Sequence, residues 1–218
     1  MRCIIFDMWG TLMNPLDEAR YYRLRVEELL KLVNREVDHD VATETYLRIR
    51  DELDRYRRGT LNEVPALDEI LIFFRSLGIE GDVDPGSLLK AYSTPFLELT
   101  DFHGGILEEL YGRFKVGVLS NSPYHGMVVE KLKREGAFQL LDAVVTSENV
   151  GRRKPSPEPF RAILEALGCQ PQESLMVGDS EDDSCGAHGV GMRSVMIGRG
   201  RCGDFFIKSL DELLRVVV

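Results

Sequence analysis

Apolar residues cluster in five short runs along the chain, and none of these runs alternates strictly between apolar and polar positions. Runs of this length, rich in β-branched residues, are typical of strands that are covered on both faces of a parallel sheet. Segments with apolar residues at helical spacing lie between the later runs. The pattern therefore predicts an α/β fold in which right-handed crossovers join parallel strands. The predicted strands are residues 2–6, 115–120, 143–146, 174–177 and 194–197, and the predicted helices between them are residues 123–136, 157–167 and 183–190.

One long region, residues 15–98, interrupts this rhythm because it carries little strand signal. Its charged, amphipathic segments predict four helices, over residues 16–33, 41–58, 64–77 and 85–99. Long insertions between strands usually form separate layers. We therefore expect an all-helical cap, residues 15–98, inserted into a core made of residues 1–14 and 99–218. The alternative, in which these helices belong to the core itself, stays open.

Length and charge narrow the classes of function. A chain of 218 residues can build one core and a smaller accessory unit. The net charge of −9 argues against a nucleic-acid partner. No apolar run is long enough for a signal peptide or a membrane span, so we expect a cytoplasmic protein with no membrane partner. A monomer or a small homo-oligomer is expected. The four cysteines form no CxxC pair, and reduced thiols are expected.

Polar residues with chemical potential follow four of the predicted strands. In open parallel sheets the reactive groups lie beyond the carboxyl ends of the strands. Any one of these residues could be a helix cap, a turn residue or a solvated charge. Their convergence at one edge of the sheet instead indicates an active site. They are Asp7 and Thr11 after the first strand, Ser120 and Asn121 after the second, Lys154 after the third, and Asp179, Asp182 and Asp183 after the fourth.

The order of Asp7, Ser120, Lys154 and the pair Asp179/Asp183 resembles the four motifs of the haloacid dehalogenase (HAD) superfamily of hydrolases, and the resemblance covers the whole chain. The helical insertion is similar to the cap that many members carry between their first and second motifs. The resemblance implies a Rossmann-like parallel sheet sandwiched by helices. It also implies that Asp7 attacks an electrophilic phosphorus or carbon to give a covalent intermediate.

Roles for the phosphate-binding residues follow from the resemblance and from the chemistry of phosphoryl transfer. The charge on the non-bridging oxygens must be neutralised, and Lys154 offers a compact cation that can also pair with Asp7. The Ser120 hydroxyl and the backbone N–H of Asn121 can hydrogen-bond the same oxygens, and Thr11 is a further candidate. The expected partner is a small anionic molecule.

The expected cofactor is Mg²⁺, which prefers octahedral oxygen coordination and keeps several waters. Asp7, Asp179 and the backbone carbonyl of Trp9 are the candidate ligands. Asp183 would hold the ion directly or orient its waters. Asp182 is an adjacent alternative to Asp183, which spacing favours because it lies one helical turn beyond Asp179.

Trp9 departs from the superfamily pattern. Phosphatases of the superfamily carry a second aspartate two residues after the nucleophile, which protonates the leaving group and activates water. An indole is only an N–H donor and cannot do this. The leading hypothesis is a Mg²⁺-dependent phosphatase that acts on a small phosphorylated metabolite through an aspartyl-phosphate, either slowly or with a good leaving group.

Two other hypotheses stay open. Haloacid dehalogenases have an aromatic residue followed by Gly-Thr-Leu, as in residues 9–12 here, and a halide needs no proton to leave. A metal-independent 2-haloacid dehalogenase is therefore the second hypothesis, although Asp179 is an acid of the metal-binding pattern. The third is a catalytically silent binding protein. Cap residues that could face a substrate are Tyr21, Arg25, Arg48, Arg50 and Tyr56.

Overall fold

The computed structural model describes residues 1–217, and within them the chain alternates between short strands and helices. The strands are β1 (Cys3–Phe6), β2 (Met13–Pro15), β3 (Thr100–Phe102), β4 (Lys115–Ser120), β5 (Ala143–Thr146), β6 (Ser174–Gly178), β7 (Arg193–Ile197) and β8 (Phe205–Ile207). The helices are α1 (Glu18–Leu30), α2 (His39–Thr60), α3 (Ala66–Ser76), α4 (Pro85–Glu98), α5 (Ile106–Leu110), α6 (His125–Arg134), α7 (Ser147–Val150), α8 (Pro157–Leu167), α9 (Glu181–Gly189) and α10 (Leu214–Val217).

Six of the strands form one parallel sheet in the order β5-β4-β1-β6-β7-β8. This confirms the predicted α/β class and the parallel sheet. Strand β1 lies in the middle, where Phe6 pairs with Val118 on one side and with Val177 on the other. The residue after Phe6 is Asp7, so the predicted nucleophile emerges at the centre of the sheet's carboxyl edge.

Both faces of the sheet are covered, which explains why the strand sequences do not alternate. All four residues of β1 are buried. Ile4 and Phe6 pack into the apolar cluster on one face, which includes residues of α5 and α6. Cys3 and Ile5 pack on the other face, against residues of α8 such as Phe160. The helices therefore sandwich the sheet, as predicted.

Three strands are absent from the predicted set because each has only three residues. Strand β8 adds to the edge of the sheet beyond β7, and two of its three residues are exposed. Strands β2 and β3 form an antiparallel two-stranded ribbon at the two ends of the helical insertion. Segments this short contain too few positions to show a period, so no apolar pattern announces them.

Residues 15–98 form the four helices α1–α4, and these pack mainly on one another, with α1 against α4 and α2 against α3. Aromatic residues fill the space between them: Tyr46 meets Phe73 edge to face, with ring centroids 5.3 Å apart. The same apolar cluster continues into one face of the sheet through Met8, Leu12 and Met13. The division of the chain into a core and a cap remains a prediction, and residues 15–98 are called the cap below.

The expectation of reduced thiols is wrong. The structure pairs Cys3 with Cys169 and Cys185 with Cys202 as disulfides, with Cα–Cα distances of 6.5 Å and 5.0 Å. The partners are 166 and 17 residues apart in sequence, so the fold, and not a local motif, brings them together.

No helix within residues 1–217 combines the length and the apolar character that a bilayer crossing needs.

Candidate active site

Asp7 begins the site at the end of β1. Its backbone N–H donates to the carbonyl of Val177 at 2.9 Å, which continues the pairing of β1 with β6 for one residue beyond the strand. Its side chain is almost fully buried, and Oδ1 accepts a hydrogen bond from the Lys154 ammonium at 2.5 Å. The backbone thus presents this carboxylate at a fixed point, which a weak nucleophile requires.

Lys154 lies between two carboxylates. Its buried ammonium donates to Asp7 Oδ1 at 2.5 Å, to Asp183 Oδ1 at 2.5 Å and to the carbonyl of Leu119 at 2.9 Å. Burial opposes the charge on this lysine, but Asp183 and Asp7 outweigh burial and raise its pKa. The Asn121 side chain fixes the lysine backbone by a reciprocal pair of hydrogen bonds, of 2.8 and 3.1 Å, to the Lys154 N–H and carbonyl. Lys154 is therefore a charged, immobilised cation.

Asp183 is oriented by the start of helix α9. Its Oδ2 accepts from the Ser180 hydroxyl at 2.5 Å and from the Ser180 N–H at 3.2 Å, while the Ser180 side chain accepts from the Asp183 N–H. This reciprocal capping box is readable in the sequence as a serine three residues before an acid, a signal that the sequence-based prediction did not use. One Asp183 oxygen thus bonds Ser180 at the N-terminus of helix α9, and the other faces Lys154.

Asp7, Asp179 and Asp183 each place a carboxylate oxygen within 4.8 Å of the other two. Burial raises the pKa of Asp7 to about 7, and Asp183 and Asp179 add to the shift against the opposing effect of Lys154. Burial and Asp183 also raise the pKa of Asp179. Three carboxylates against one ammonium leave two negative charges in a small volume. This donor set fits a divalent cation that prefers oxygen ligands.

The other predicted metal-site residues differ in position. No hydrogen bond within residues 1–217 uses the backbone carbonyl of Trp9, which leaves this oxygen free to act as a ligand. Asp182 is exposed and is not part of the carboxylate cluster, whereas Asp183 is. Thr11 donates to Asp179 Oδ1 at 3.4 Å, so its hydroxyl faces the carboxylate cluster.

The predicted phosphate contacts lie at the end of β4. Ser120 is buried at the floor of a cavity of about 210 Å³, and no side-chain hydrogen bond from the described part of the chain engages its hydroxyl. The backbone N–H of Asn121 is likewise uncommitted there. These two donors can therefore bind an anion placed over Asp7.

The same cavity extends from Ser120 to the cap. Trp9 is 38% exposed in its wall, with its ring centroid 5.6 Å from that of Tyr21 and 6.1 Å from that of Phe96. Of the cap residues singled out from the sequence, Tyr21, Arg25 and Arg50 line the cavity. Arg48 and Tyr56 do not; Arg48 is exposed and pairs with Glu52 at 3.3 Å.

Glu63 connects the cap to the core beside Lys154, and no sequence motif indicates this role. Its buried carboxylate accepts from Arg57 Nε at 2.9 Å, from Arg153 and from the Ser147 hydroxyl. Its backbone N–H donates to the carbonyl of Gly151 at 3.0 Å. An isolated glutamate between two predicted helices carries no motif, so only the fold reveals this contact.

Comparison with known proteins agrees with this geometry. The model of the haloacid dehalogenase-like hydrolase family matches residues 1–191. The chain belongs to this family. It is 30% identical to a phosphoglycolate phosphatase from Aquifex aeolicus, over 84% of this chain and 78% of the relative. It is 30% identical to a ribulose-1,5-bisphosphate 5-phosphatase from Halopiger xanaduensis, over 88% of this chain and 83% of the relative.

A crystal structure of a HAD phosphatase from Thermococcus onnurineus matches the fold with a TM-score of 0.70 and 28% identity, covering 100% of this chain and 98% of that one. The resemblance inferred from four motifs is thereby confirmed. The protein is a hydrolase of the HAD superfamily with a Rossmann-like core.

Gly10 permits the approach of Asp179, because a Cβ at this position would lie 2.3–2.7 Å from the Asp179 carboxylate atoms. On the expectation that the carboxylate cluster binds Mg²⁺, Gly10→Ala should weaken that binding roughly 10- to 100-fold, the range found when groups that orient metal ligands are disturbed. The fluorescence of Trp9, the single tryptophan, can report the titration. Gly112→Ala is the matched control: Gly112 also has a positive φ, +72° against +84°, but no atom lies within 4 Å of its added Cβ. Equal loss in both variants would contradict the prediction.

The raised pKa of Asp7 predicts a specific pH dependence of stability in EDTA. Between the ordinary value of 3.8 and about 7, the folded protein holds a proton on Asp7 that the unfolded chain has released. The contribution of Asp7 to stability therefore falls as the pH rises through this window. Asp7→Asn removes that contribution. The free energy of unfolding of the variant, minus that of the wild type, should increase from about pH 4 to about pH 7 and then level off. Urea denaturation measures it, and a constant or falling difference would contradict the assignment.

Proposed function

We propose that this protein is a Mg²⁺-dependent phosphatase of small phosphorylated metabolites, and that Asp7 forms an aspartyl-phosphate. The observation that carries the proposal is the Lys154 ammonium held 2.5 Å from both Asp7 and Asp183, with Asp179 beside them. The relatives named for the phosphatases of phosphoglycolate and of ribulose 1,5-bisphosphate support the reaction class.

The residues divide the work of phosphoryl transfer. Lys154 occupies Oδ1 of Asp7, and no hydrogen bond from the described residues engages Oδ2, which is therefore the attacking oxygen. It forms a bond to phosphorus as the bond from phosphorus to the leaving oxygen breaks in line. The Ser120 hydroxyl and the Asn121 N–H hold the non-bridging oxygens, and the Lys154 ammonium, whose three N–H groups are already engaged, stabilises their charge through space. Water then cleaves the aspartyl-phosphate and regenerates Asp7.

Asp7, Asp179 and the Trp9 carbonyl would hold the Mg²⁺ ion, and Asp183 would orient its waters. When bound, the ion neutralises the excess charge of the carboxylates and of the phosphoryl group. Thr11 is assigned here to orienting Asp179, because its hydroxyl points at that carboxylate at 3.4 Å.

Trp9 decides which substrates turn over quickly. The indole cannot donate its proton as an acid near neutral pH, so the leaving oxygen departs without protonation by residue 9. Rapid turnover then requires a leaving group of low pKa, as in acyl or aryl phosphates. Alkyl phosphates should turn over slowly, with water as the proton source.

Trp9 is also compatible with the dehalogenase hypothesis, because a halide leaves without being protonated. The carboxylate cluster weighs against it, because Asp179 and Asp183 repel the nucleophilic Asp7 when no metal ion is bound. Halide release from L-2-chloropropionate in EDTA would favour the dehalogenase over the phosphatase. A catalytically silent binding protein would show neither activity.

The remaining parts of the proposal concern the setting. We place the protein in the cytoplasm as a monomer or small homo-oligomer that binds a small anionic molecule, and neither a nucleic acid nor a membrane. Reduced thiols no longer support a cytoplasmic location, because the cysteines are paired in disulfides. Such bonds are typical of oxidising compartments or of hyperthermophiles.

Purified protein with Mg²⁺ should release phosphate from p-nitrophenyl phosphate, and EDTA should abolish the release. Asp7→Asn should lower kcat to background, because an amide cannot act as the nucleophile. Asp182→Asn is the matched control, since Asp182 is exposed and outside the carboxylate cluster. Phosphate release that is unchanged in Asp7→Asn, or by EDTA, would refute the proposed reaction.

Trp9→Asp should restore an acid at the position that the superfamily's phosphatases use. For an alkyl phosphate with a poor leaving group we expect kcat to rise by about 10²- to 10⁴-fold, the usual contribution of general acid–base catalysis. For p-nitrophenyl phosphate the gain should be smaller, because its leaving group needs no proton and only the activation of water by the new aspartate remains. Trp9→Asn opens the same space without an acid and is the control. Equal gains in Trp9→Asp and Trp9→Asn would show that Trp9 acts by its size alone.

A further inference from the structure

Arg25, on helix α1, differs from every other buried cation in residues 1–217. The other three, Arg57, Lys131 and Lys154, each have at least one carboxylate within 4.0 Å. Arg25 is only 4% exposed, and no carboxylate of the described chain lies within that distance of it. A buried charge without an opposite charge is costly, so its position asks for a reason.

Neutral groups surround this guanidinium. Nε donates to the carbonyl of Tyr92 at 3.0 Å, Nη1 to the hydroxyl of Tyr46 at 3.3 Å and Nη2 to the hydroxyl of Tyr21 at 2.8 Å. The guanidinium carbon also lies 3.7 Å from the ring centroid of Tyr92, within range of a cation–π interaction. A guanidinium has five N–H donors, so one remains on each terminal nitrogen after these three bonds.

The nearest acid in this hydrogen-bond chain is already engaged. The Tyr46 hydroxyl donates a hydrogen bond to Glu69 at 2.5 Å, and Glu69 accepts another from Arg57 at 2.9 Å. Glu69 also accepts from the Tyr92 hydroxyl at 3.2 Å. It therefore belongs to the ion pairs of Arg57 and reaches Arg25 only through the side chains of Tyr46 and Tyr92.

The residues that line the cavity beside Arg25, counted together with Glu63, carry an excess of one positive charge, and the carboxylate cluster around Lys154 is not among them. The walls of the cavity include the guanidinium groups of Arg25, Arg50, Arg57 and Arg153, and the carboxylates of Asp54 and Glu69. Glu63, which binds both Arg57 and Arg153, brings the acids to three against four cations. The unmatched cation is Arg25. A group with a single negative charge would restore the balance, whereas a phosphate ester adds between one and two.

The cavity connects this cation to the reacting end of the site. Its volume of about 210 Å³ is smaller than a drug-sized pocket, and it runs from Ser120 and Asn121 to the rings of Trp9, Tyr22 and Phe96. A phosphate on Ser120 and Asn121 would leave the rest of a small substrate between these rings and Arg25.

We propose that Arg25 binds a carboxylate on the leaving group of the substrate, so that the preferred substrates are compact phosphorylated carboxylates whose carbon skeleton packs on Trp9 and its neighbouring rings. A carboxylate brings one negative charge and two oxygens, which suit the two remaining N–H donors of a guanidinium. This inference rests on the proposed phosphatase reaction, because that reaction places the leaving group in this cavity.

A binding measurement tests the carboxylate site without any turnover. Benzoate is titrated into the protein while the fluorescence of Trp9, the only tryptophan and a wall of the cavity, is followed. Benzyl alcohol serves as the neutral probe and phenylphosphonate as the probe with a phosphate-like group. We expect benzoate to bind at least about tenfold more tightly than benzyl alcohol, since hydrogen bonds to a charged group are the stronger ones. Equal affinity for these two would overturn the proposal, and so would tighter binding of phenylphosphonate through Arg25.

The variant Arg25→Lys keeps the charge and removes the forked donor, and it should weaken benzoate binding roughly 10- to 100-fold. Arg48→Lys, at an exposed position outside the cavity, is the matched control and should bind benzoate as the wild type does. Unchanged benzoate affinity in a folded Arg25→Lys protein would overturn the proposal. If that variant does not fold, the preference of the wild type for benzoate over benzyl alcohol decides alone.

Turnover separates this inference from the reaction on which it rests. The wild type should hydrolyse at least one of the three carboxyphenyl phosphate isomers with a kcat/KM about tenfold above that of phenyl phosphate, and Arg25→Lys should lose this advantage. A uniform preference for phenyl phosphate would overturn the proposed specificity. If no phosphate is released from any ester while benzoate still binds in an Arg25-dependent way, the carboxylate site stands and the proposed reaction fails.

Discussion

The ammonium of Lys154, held between Asp7 and Asp183, organises the site. Asp7 follows strand β1, Lys154 follows β5 and Asp183 follows β6, so this ammonium joins residues from three strand ends. The backbone of Lys154 is fixed by Asn121, which follows a fourth strand, β4. One ammonium cannot balance the three carboxylates around it, and burial raises the pKa of Asp7 to about 7. Under the proposed function, the site requires both a cation and an anion to complete it. That requirement connects the parallel sheet, which brings the strand ends to one edge, with the chemistry of phosphoryl transfer.

The cap contributes a second electrostatic arrangement of a different kind. Around Arg57, acids from several elements pair with a buried guanidinium, and Glu63 extends the network to Arg153 beside Lys154. This network holds the cap against the core and closes one wall of the cavity. Arg25 is separated from this network by the side chain of Tyr46, which contacts both Arg25 and Glu69, and it has no carboxylate partner of its own. The contrast between the two arginines suggests that one stabilises the cap and the other meets the substrate.

Much of the core could be predicted from sequence because its strands are buried on both faces. Their apolar runs end at Asp7, Ser120 and Gly178, and these ends place the chemistry. Strand β8 and the ribbon of β2 and β3 are too short to leave a periodic signal. The pairing of Cys3 with Cys169 depends on the packing of α8 on the sheet, which no spacing encodes. In the cap, the amphipathic pattern predicted the helices but not the partners of their charged residues. Arg25, Arg48 and Arg50 look alike in the sequence, and only the structure distinguishes them, by their burial and their neighbours.

The central claim is that Asp7 is a phosphoryl acceptor in a carboxylate site that binds Mg²⁺. A crystal structure of the protein with Mg²⁺ and fluoroberyllate, which mimics a phosphoryl group, tests it most directly. The account predicts beryllium bonded to an Asp7 oxygen, its fluorines contacting the Ser120 hydroxyl and the Asn121 N–H, and Mg²⁺ coordinated by Asp7, Asp179 and the Trp9 carbonyl. Mg²⁺ bound away from these ligands, or fluoroberyllate absent from Asp7 when the ion is in place, would contradict it.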